Sequence, residues 1–364
     1  MPHRALHAAG ALAVLAIALV ATACTPAAGP HAVADAATPR LAAVTPLDDP
    51  RAATGPSTAV AAADALDPVR DGTQGLPVSV IDTQGTQVTI TDTTRILALD
   101  IYGSLSRIVF ELGLGDQVVG RDVSSAFPEV ADRPLVTENG HDLNAEAILS
   151  LAPTVILTDT SLGPWDVMLQ MRDAGIPVVV LDAARTTENV DELITGVADA
   201  LGVPDRGAAL AERTQQRIDE KVAEIAAVAP ASESDRIRMA FLYVRGGAGV
   251  YYMFGEGTGA QSLIEALGGR DVATEIDWQG MRPVTDEGLI AAAPELILVM
   301  TKGLESAGGI DGLLEQLPAL AQTPAGESRR IVDMDDTQIL SFGPATADVL
   351  DALAVAVYAP DEAR

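Results

Sequence analysis

Short apolar runs alternate with segments of helical periodicity from about residue 90 to the end of the chain. Short apolar runs of this kind are typical of β-strands. Strands that alternate with helices predict βα units and a parallel sheet. The predicted strands are Arg95–Leu99, Val118–Gly120, Thr154–Leu157, Pro177–Leu181, Arg238–Tyr243 and Glu295–Met300.

The two halves of this region resemble each other in sequence. Ile108–Asp116 aligns without gaps on Leu263–Asp271, and Glu146–Pro153 aligns on Glu287–Pro294. Apolar matches alone can arise by chance between any two βα units, but the matched Gly, Pro and Glu positions favour a duplication. The sequence therefore predicts two Rossmann-like α/β lobes.

A helical stretch separates the two predicted lobes. Thr187–Asn189 can cap a helix that reaches Leu201, and a second helix runs through Leu210–Ile225 with apolar residues three and four apart. A single long helix makes a stiff connection, so the cleft between the lobes should change little when a ligand binds. The expected parts are an N-terminal lobe over 76–186, connecting helices over 187–230 and a C-terminal lobe over 231–364.

The first 23 residues have the features of an export signal. The apolar run Ala8–Val20 has about 13 residues, which is too short to span a bilayer, since a spanning helix needs about 20. The run leads into Ala21–Cys24, which resembles a bacterial lipobox with Cys24 as the lipidated N-terminus; a soluble secreted protein cleaved nearby is the alternative. Residues 24–75, rich in Ala, Pro and Thr, are expected to form a disordered tether.

Composition excludes several classes of partner and site. The chain carries 23 basic and 51 acidic residues, a formal net charge of −28 at pH 7. Nucleic acids bind Lys- and Arg-rich surfaces, so this balance argues against them and against direct contact with anionic lipid. Cys24 is the only cysteine. The chain therefore cannot form an intramolecular disulfide, and the predicted lobes have no thiol for a metal site.

Candidate ligand chemistry is confined to a few positions. Of the four histidines, His141 is the one in the predicted lobes, on a loop just before a helix. Tyr243 ends a predicted strand in the other lobe and has Arg245 two residues on; a neighbouring guanidinium favours the phenolate form of a tyrosine. The structural alternatives are a loop histidine held by a neighbour, a tyrosine packed at the sheet margin and an arginine in an ion pair.

Motifs of hydrolytic enzymes are absent from the sequence. It has neither a Gly-x-Ser-x-Gly elbow nor a His-Glu-x-x-His zinc motif. We therefore expect a binding protein and not an enzyme, with a purely structural surface lipoprotein as a further alternative.

The lipobox, the tether and the region from about residue 90 to the C-terminus together resemble a substrate-binding lipoprotein of an ABC importer. The resemblance is to the class that joins two lobes by a rigid helix and carries siderophores, cobalamin or haem. Asn139–Glu146 and Tyr243–Gly246 are similar to the haem-binding lipoproteins of Gram-positive haem importers. This resemblance implies a periplasmic-binding-protein-like fold with the ligand cleft between the lobes. It also implies that His141 and Tyr243 ligate the iron of ferric haem b from opposite lobes, with Arg245 supporting Tyr243.

The internal repeat adds a further candidate. In its register His141 falls opposite Arg282, so both would face the cleft from equivalent loops. Haem has two propionates that attract cations. We therefore expect Met281 and Arg282 to line the haem edge, with Arg282 near a propionate; an ion pair of Arg282 with Asp277 or Asp286 is the alternative.

The resemblance also sets expectations for the walls of the site and for its partners. A planar macrocycle needs apolar walls, which Tyr252 and Trp278 would supply. The expected partners are haem, the permease and ATPase of an ABC transporter, the membrane through the anchor, and a surface haemoprotein as haem donor, with the chain itself a monomer. Asp159, Asp166 and Glu305 are candidates for docking on the permease. The alternative cargo is a ferric siderophore or cobalamin.

Overall fold

The computed structural model describes residues 37–62 and 65–363. The export signal and Cys24 lie outside the described residues. Within those two ranges, no helix combines the length and the apolar character that a membrane span requires.

The elements in this part of the chain alternate between strands and helices. The strands are β1 (Ser57–Ala59), β2 (Val78–Ile81), β3 (Gln87–Ile90), β4 (Ile96–Leu99), β5 (Thr137–Glu138), β6 (Asp142–Leu143), β7 (Val155–Thr158), β8 (Val178–Val180), β9 (Arg238–Arg245), β10 (Val250–Phe254), β11 (Arg270–Asp271), β12 (Met281–Pro283), β13 (Leu296–Met300) and β14 (Ile331–Met334). The helices are α1 (Ser104–Val109), α2 (Ala145–Ser150), α3 (Asp166–Asp173), α4 (Val190–Ala200), α5 (Pro204–Val228), α6 (Gly259–Ala266), α7 (Val272–Glu275), α8 (Asp286–Ala292), α9 (Thr301–Ser306), α10 (Gly309–Gln316), α11 (Pro324–Ser328) and α12 (Thr346–Tyr358).

The N-terminal lobe is built on a parallel sheet in the order β4–β7–β8. All three strands are buried along their whole length, because residues such as Ile, Leu and Val on both faces are covered by other elements. This confirms three of the predicted strands. Val118, predicted to lie in a strand, joins the edge by an isolated bridge to Ile96.

The C-terminal lobe has a larger mixed sheet in the order β1–β14–β13–β9–β10–β12, with β11 beside β9. The strands β1, β14, β13 and β9 run parallel, whereas β10 and β12 are antiparallel to their neighbours. The predicted strands β9 and β13 are confirmed. The hairpin of β9 and β10 then extends the sheet and presents the carboxyl end of β9 beside the aromatic residues of β10.

The predicted duplication is visible at the helix before a central strand in each lobe. Asn144 caps α2 and Thr285 caps α8 through their side chains. Each helix is followed by an alanine in the left-handed region, Ala152 at φ 43° and Ala293 at φ 41°, directly before a proline. Because non-glycine residues rarely adopt this conformation, its occurrence at both matched positions supports a common origin of the lobes.

Helix α5 is the long helix predicted between the lobes. It has 25 residues, which corresponds to about 37 Å at 1.5 Å per residue. Pro204 occupies its first turn, where no backbone N–H is needed. Its buried face includes Leu210 and Ile218 and packs against α4 and α12. The contact with two neighbouring helices gives the connection its stiffness.

The N-terminal segment differs from the expected tether over residues 37–62 and 65–75. Strand β1 pairs in parallel with β14, and the buried Leu41 donates its N–H to Asp351 of α12 at 3.2 Å. The chain then enters the N-terminal lobe at β2 and so links the lobes alongside α5. Hydrophobic periodicity does not reveal β1, because its three small residues are held by backbone pairing and by the Ser57 hydroxyl, which donates to the carbonyl of Ala356 at 2.8 Å.

Candidate functional site

Four aromatic side chains form a wall on the C-terminal lobe. Side chains alternate along a strand, so Phe241, Tyr243 and Arg245 share one face of β9. Phe254 of β10 stacks on Phe241 with ring centroids 5.0 Å apart and lies 6.4 Å from the ring of Tyr243. Tyr252 of β10 lies directly opposite Tyr243 in the pairing of the two strands, so it shares that face. We call Phe241, Tyr243, Tyr252 and Phe254 the aromatic wall; its outer end, at the two tyrosines, is half-buried.

Arg245 lies over the ring of Tyr243. Its guanidinium carbon is 4.5 Å from the ring centroid. One terminal nitrogen donates to the carbonyl of Val244 at 2.9 Å, and the other donates to Asp336 at 3.3 Å. A guanidinium over an aromatic face is attracted by the ring quadrupole, and the attraction grows when the ring oxygen becomes an anion. The predicted pairing of Tyr243 with Arg245 is therefore present in the structure.

His141 lies on the loop between β5 and β6 of the N-terminal lobe and is half-buried. Burial and the positive charge of Arg245 lower the pKa of the imidazole, and the charges of Asp336 and Asp142 oppose this in part. Arg245 and Asp336 belong to the other lobe, so the imidazole lies within electrostatic range of charges across the cleft. A lowered pKa favours the neutral imidazole, the form that binds metals. Its Nδ1 is buried and has no hydrogen-bond partner among the described residues.

Met281 and Arg282 are adjacent in β12, so their side chains lie on opposite faces of the sheet. Met281 is the Cα partner of Phe254, and Arg282 is the partner of Met253. Met281 thus shares the face of the aromatic wall, with its side chain half exposed. Arg282 lies on the opposite face, where Met253 is buried in a separate core cluster. This register disagrees with the expectation that Arg282 faces the cleft. The alignment of the two repeats matches positions in sequence and does not show how residues 281–283 pair with β10.

Trp278 also lies away from the aromatic wall. Its indole N–H donates to the carbonyl of Met253 at 3.0 Å, and its ring packs against the core cluster on the outer face of the sheet. The prediction that Trp278 lines the ligand is therefore not supported by its contacts. Tyr252, in contrast, lies on the same face of the sheet as Tyr243. Its position is consistent with the expectation that it lines the ligand.

A buried charge cluster lies at the carboxyl ends of the N-lobe strands. Arg185 donates to Asp100 at 3.1 Å and to Asp159 at 2.7 Å, and all three side chains are essentially inaccessible. Burial raises the pKa of Asp100 to about 6 and that of the neighbouring Asp122 to about 7. Asp159 is fully buried and so cannot dock on another protein. Asp166 and Glu305 are exposed.

Asp336 is a site residue that sequence reasoning missed. It follows β14 in the run Asp333–Asp336, where four consecutive positions include three carboxylates. Nothing in this pattern distinguishes Asp336 from its neighbours. Its role depends on the fold, because the end of β14 comes close to the end of β9 only in the three-dimensional sheet.

The chain is similar to proteins that bind ligands outside the cytoplasm. A family model described as periplasmic binding protein matches residues 101–337. Among solved structures, the haem-binding protein HmuT is 40% identical, superposes with a TM-score of 0.80, and is aligned over 85% of this chain and 99% of that chain.

Two relatives with lower identity also match most of the chain. The ABC transporter substrate-binding lipoprotein YvrC of Bacillus subtilis is 24% identical over 79% of this chain and 88% of its own length. The cobalamin-binding protein of Halobacterium salinarum is 24% identical over 78% of this chain and 74% of its own length. The chain is therefore similar in sequence to binding proteins for more than one kind of cargo.

Proposed function

The chain belongs to the periplasmic binding protein family, and on that premise we propose that it captures ferric haem b between its lobes and delivers it to the permease of an ABC transporter. The observation that carries the proposal is that the charge of Arg245, which lies over Tyr243 in one lobe, reaches His141 in the other lobe. A haem iron takes four nitrogens from its porphyrin, so the protein needs to supply only axial ligands. Neutral imidazole and phenolate are both known axial ligands of haem.

The three side chains have distinct roles in this proposal. His141 supplies a neutral nitrogen from the N-terminal lobe. Tyr243 supplies an anionic oxygen from the C-terminal lobe, which offsets part of the ferric charge. Arg245, over the ring of Tyr243, favours the anion because a guanidinium stays protonated at any ordinary pH. The aromatic wall gives the macrocycle an apolar surface.

Haem is favoured over cobalamin as the cargo. HmuT is 40% identical to this chain, against 24% for the cobalamin-binding protein. Cobalamin also brings its own cobalt ligands, so it does not need a histidine and a tyrosine from the protein as metal ligands.

A paired titration separates the two cargoes. We expect hemin to give a Soret band with a tyrosinate-to-iron charge-transfer transition, and to raise the melting temperature, because a ligand at 100 times its Kd stabilises the folded state by about 2.7 kcal/mol. Cyanocobalamin at the same concentration should leave the melting temperature unchanged. Stabilisation by cyanocobalamin with none by hemin would favour the alternative cargo.

The adjacent residues Met281 and Arg282 provide a matched test of which face of the sheet contacts the haem. Met281→Ala should weaken hemin binding about fivefold, because a half-exposed thioether on the face of the aromatic wall would lose apolar contact with the macrocycle. Arg282→Ala should leave the affinity within about twofold, because Arg282 lies on the opposite face. Equilibrium hemin titrations of both variants measure this. The reverse order would restore Arg282 as a propionate partner and place the haem edge differently.

We also propose that Cys24 carries the lipid anchor on the outer face of the cytoplasmic membrane. The name of YvrC supports this, since it is a substrate-binding lipoprotein of an ABC transporter. The anchor would keep the lobes near the permease and its ATPase. Of the docking candidates, the exposed Asp166 and Glu305 remain, one in each lobe.

A further inference from the structure

Asp336 lies where the loop after β14 meets β9 and α9. One carboxylate oxygen accepts a hydrogen bond from a terminal nitrogen of Arg245 at 3.3 Å, and the other accepts from the backbone N–H of Lys302 at 2.9 Å. The side chain of Asp336 is 14% exposed, whereas that of Arg245 is 32% exposed. The carboxylate is therefore the better fixed of the two partners, held by the first turn of α9.

Arg245 has little else to fix its position. Its other hydrogen bond goes to the carbonyl of Val244 at 2.9 Å, which belongs to the preceding residue and moves with the same backbone. Asp336 is the partner that comes from another element of the fold. Two anchors on different nitrogens define the plane of a guanidinium. The guanidinium carbon lies 4.5 Å from the centroid of the Tyr243 ring.

We propose that Asp336 is a positioning residue of the haem site, which holds the guanidinium of Arg245 over Tyr243. The inference rests on the proposed function, since Arg245 is useful there only if Tyr243 ligates iron. Asp336 acts on the ligand through Arg245. Pre-organising the cation lowers the cost of placing it when the phenolate forms.

Asp336 also caps α9, and this gives a competing explanation for any effect of its loss. Helix α9 packs against β9, so uncapping it could disturb Tyr243 without Arg245. The two roles differ in one respect: a capping effect persists when Arg245 is absent, whereas a positioning effect disappears.

A double-mutant cycle on the full chain distinguishes the two roles. Hemin dissociation into excess apomyoglobin is measured for the wild type, Asp336→Ala, Arg245→Ala and the double variant. We expect Asp336→Ala to speed dissociation about five- to tenfold, and Arg245→Ala to do so at least as much. The double variant should match Arg245→Ala within about twofold. The tyrosinate-to-iron band should shift in Asp336→Ala and not shift further in the double variant.

Two further variants complete the design. Asp336→Asn keeps one acceptor oxygen but turns an NH2 group toward the second donor, so it should dissociate hemin faster than the wild type and no faster than Asp336→Ala. Asp271→Ala removes the cap of α7 in the same lobe, where Asp271 accepts from the N–H of Ala273 at 3.0 Å, and should dissociate hemin at the wild-type rate.

The proposal is overturned if Asp336→Ala behaves as the wild type, or if it has the same effect in the Arg245→Ala background. An equal effect of Asp271→Ala would also overturn it, because loss of any cap would then suffice. The wild-type spectrum separates this inference from the proposed function. If the wild type shows no tyrosinate-bound haem, the function fails; if it does and the cycle is additive, only the role of Asp336 fails.

Discussion

Replacement of Tyr243 by phenylalanine is expected to weaken hemin binding at least about 100-fold and to remove the tyrosinate-to-iron charge-transfer band. Loss of a partner that only orients a metal ligand costs 10- to 100-fold in affinity, so loss of the anionic ligand itself should cost no less. Phenylalanine keeps the ring beside Phe254, whose centroid is 6.4 Å away. The loss therefore reports the oxygen and not the packing.

Tyr252 provides the matched control for this replacement. It is the Cα partner of Tyr243, carries the same phenol and lies on the same face of the sheet. Tyr252→Phe should change hemin affinity by less than about threefold, a range typical of a lost peripheral contact, and should keep the charge-transfer band. If Tyr252→Phe removed the band and Tyr243→Phe kept it, the ligand would be Tyr252 and the assignment would be wrong.

Replacement of His141 by alanine is expected to weaken hemin binding about tenfold or more and to leave a five-coordinate, high-spin ferric haem on tyrosinate. The effect should be smaller than that of Tyr243→Phe, because a neutral ligand offsets none of the ferric charge. Free imidazole added to the variant should restore a six-coordinate spectrum. A variant that already shows the wild-type spectrum without imidazole would remove His141 from the iron.

The pH dependence of the spectrum gives a second test of His141. Burial and the charge of Arg245 lower the pKa of the imidazole, so it stays neutral and able to ligate at a lower pH than an ordinary histidine. In Arg245→Ala one of the lowering influences is gone and the imidazole protonates at higher pH. Histidine ligation should therefore be lost at higher pH in Arg245→Ala than in the wild type. Loss at the same or lower pH would contradict the proximity of the two side chains.

Much of the fold follows from local patterns that survive in the structure. The strands β4, β7 and β8 are apolar runs buried along their length, and β9 and β13 are mostly buried. The buried side of α5 includes Leu210, Ile218 and Ile225 at helical spacing. The repeat is marked in the sequence by the aligned pairs Ala152–Pro153 and Ala293–Pro294. Such features depend on neighbours in sequence, so the sequence alone predicts them.

Other features depend on contacts between distant elements. β1 is a three-residue strand of small side chains that exists because β14 offers a free edge. The faces of Met281 and Arg282 are decided by the pairing of β12 with β10, which no local period shows. The position of Trp278 is fixed by its hydrogen bond to the carbonyl of Met253. Asp336 meets Arg245 across 91 positions of sequence. In each case the partner lies far away in the chain.

The most direct test of the central claim is a hemin titration of the double variant His141→Ala, Tyr243→Phe beside the wild type. If the iron is held between the two lobes by these two side chains, the wild type should bind hemin with a six-coordinate, tyrosinate-bound ferric spectrum. The double variant should lose this tyrosinate-bound spectrum. Its affinity for hemin should fall at least as far as that of Tyr243→Phe alone. A double variant that binds hemin with the wild-type spectrum and affinity would contradict the account.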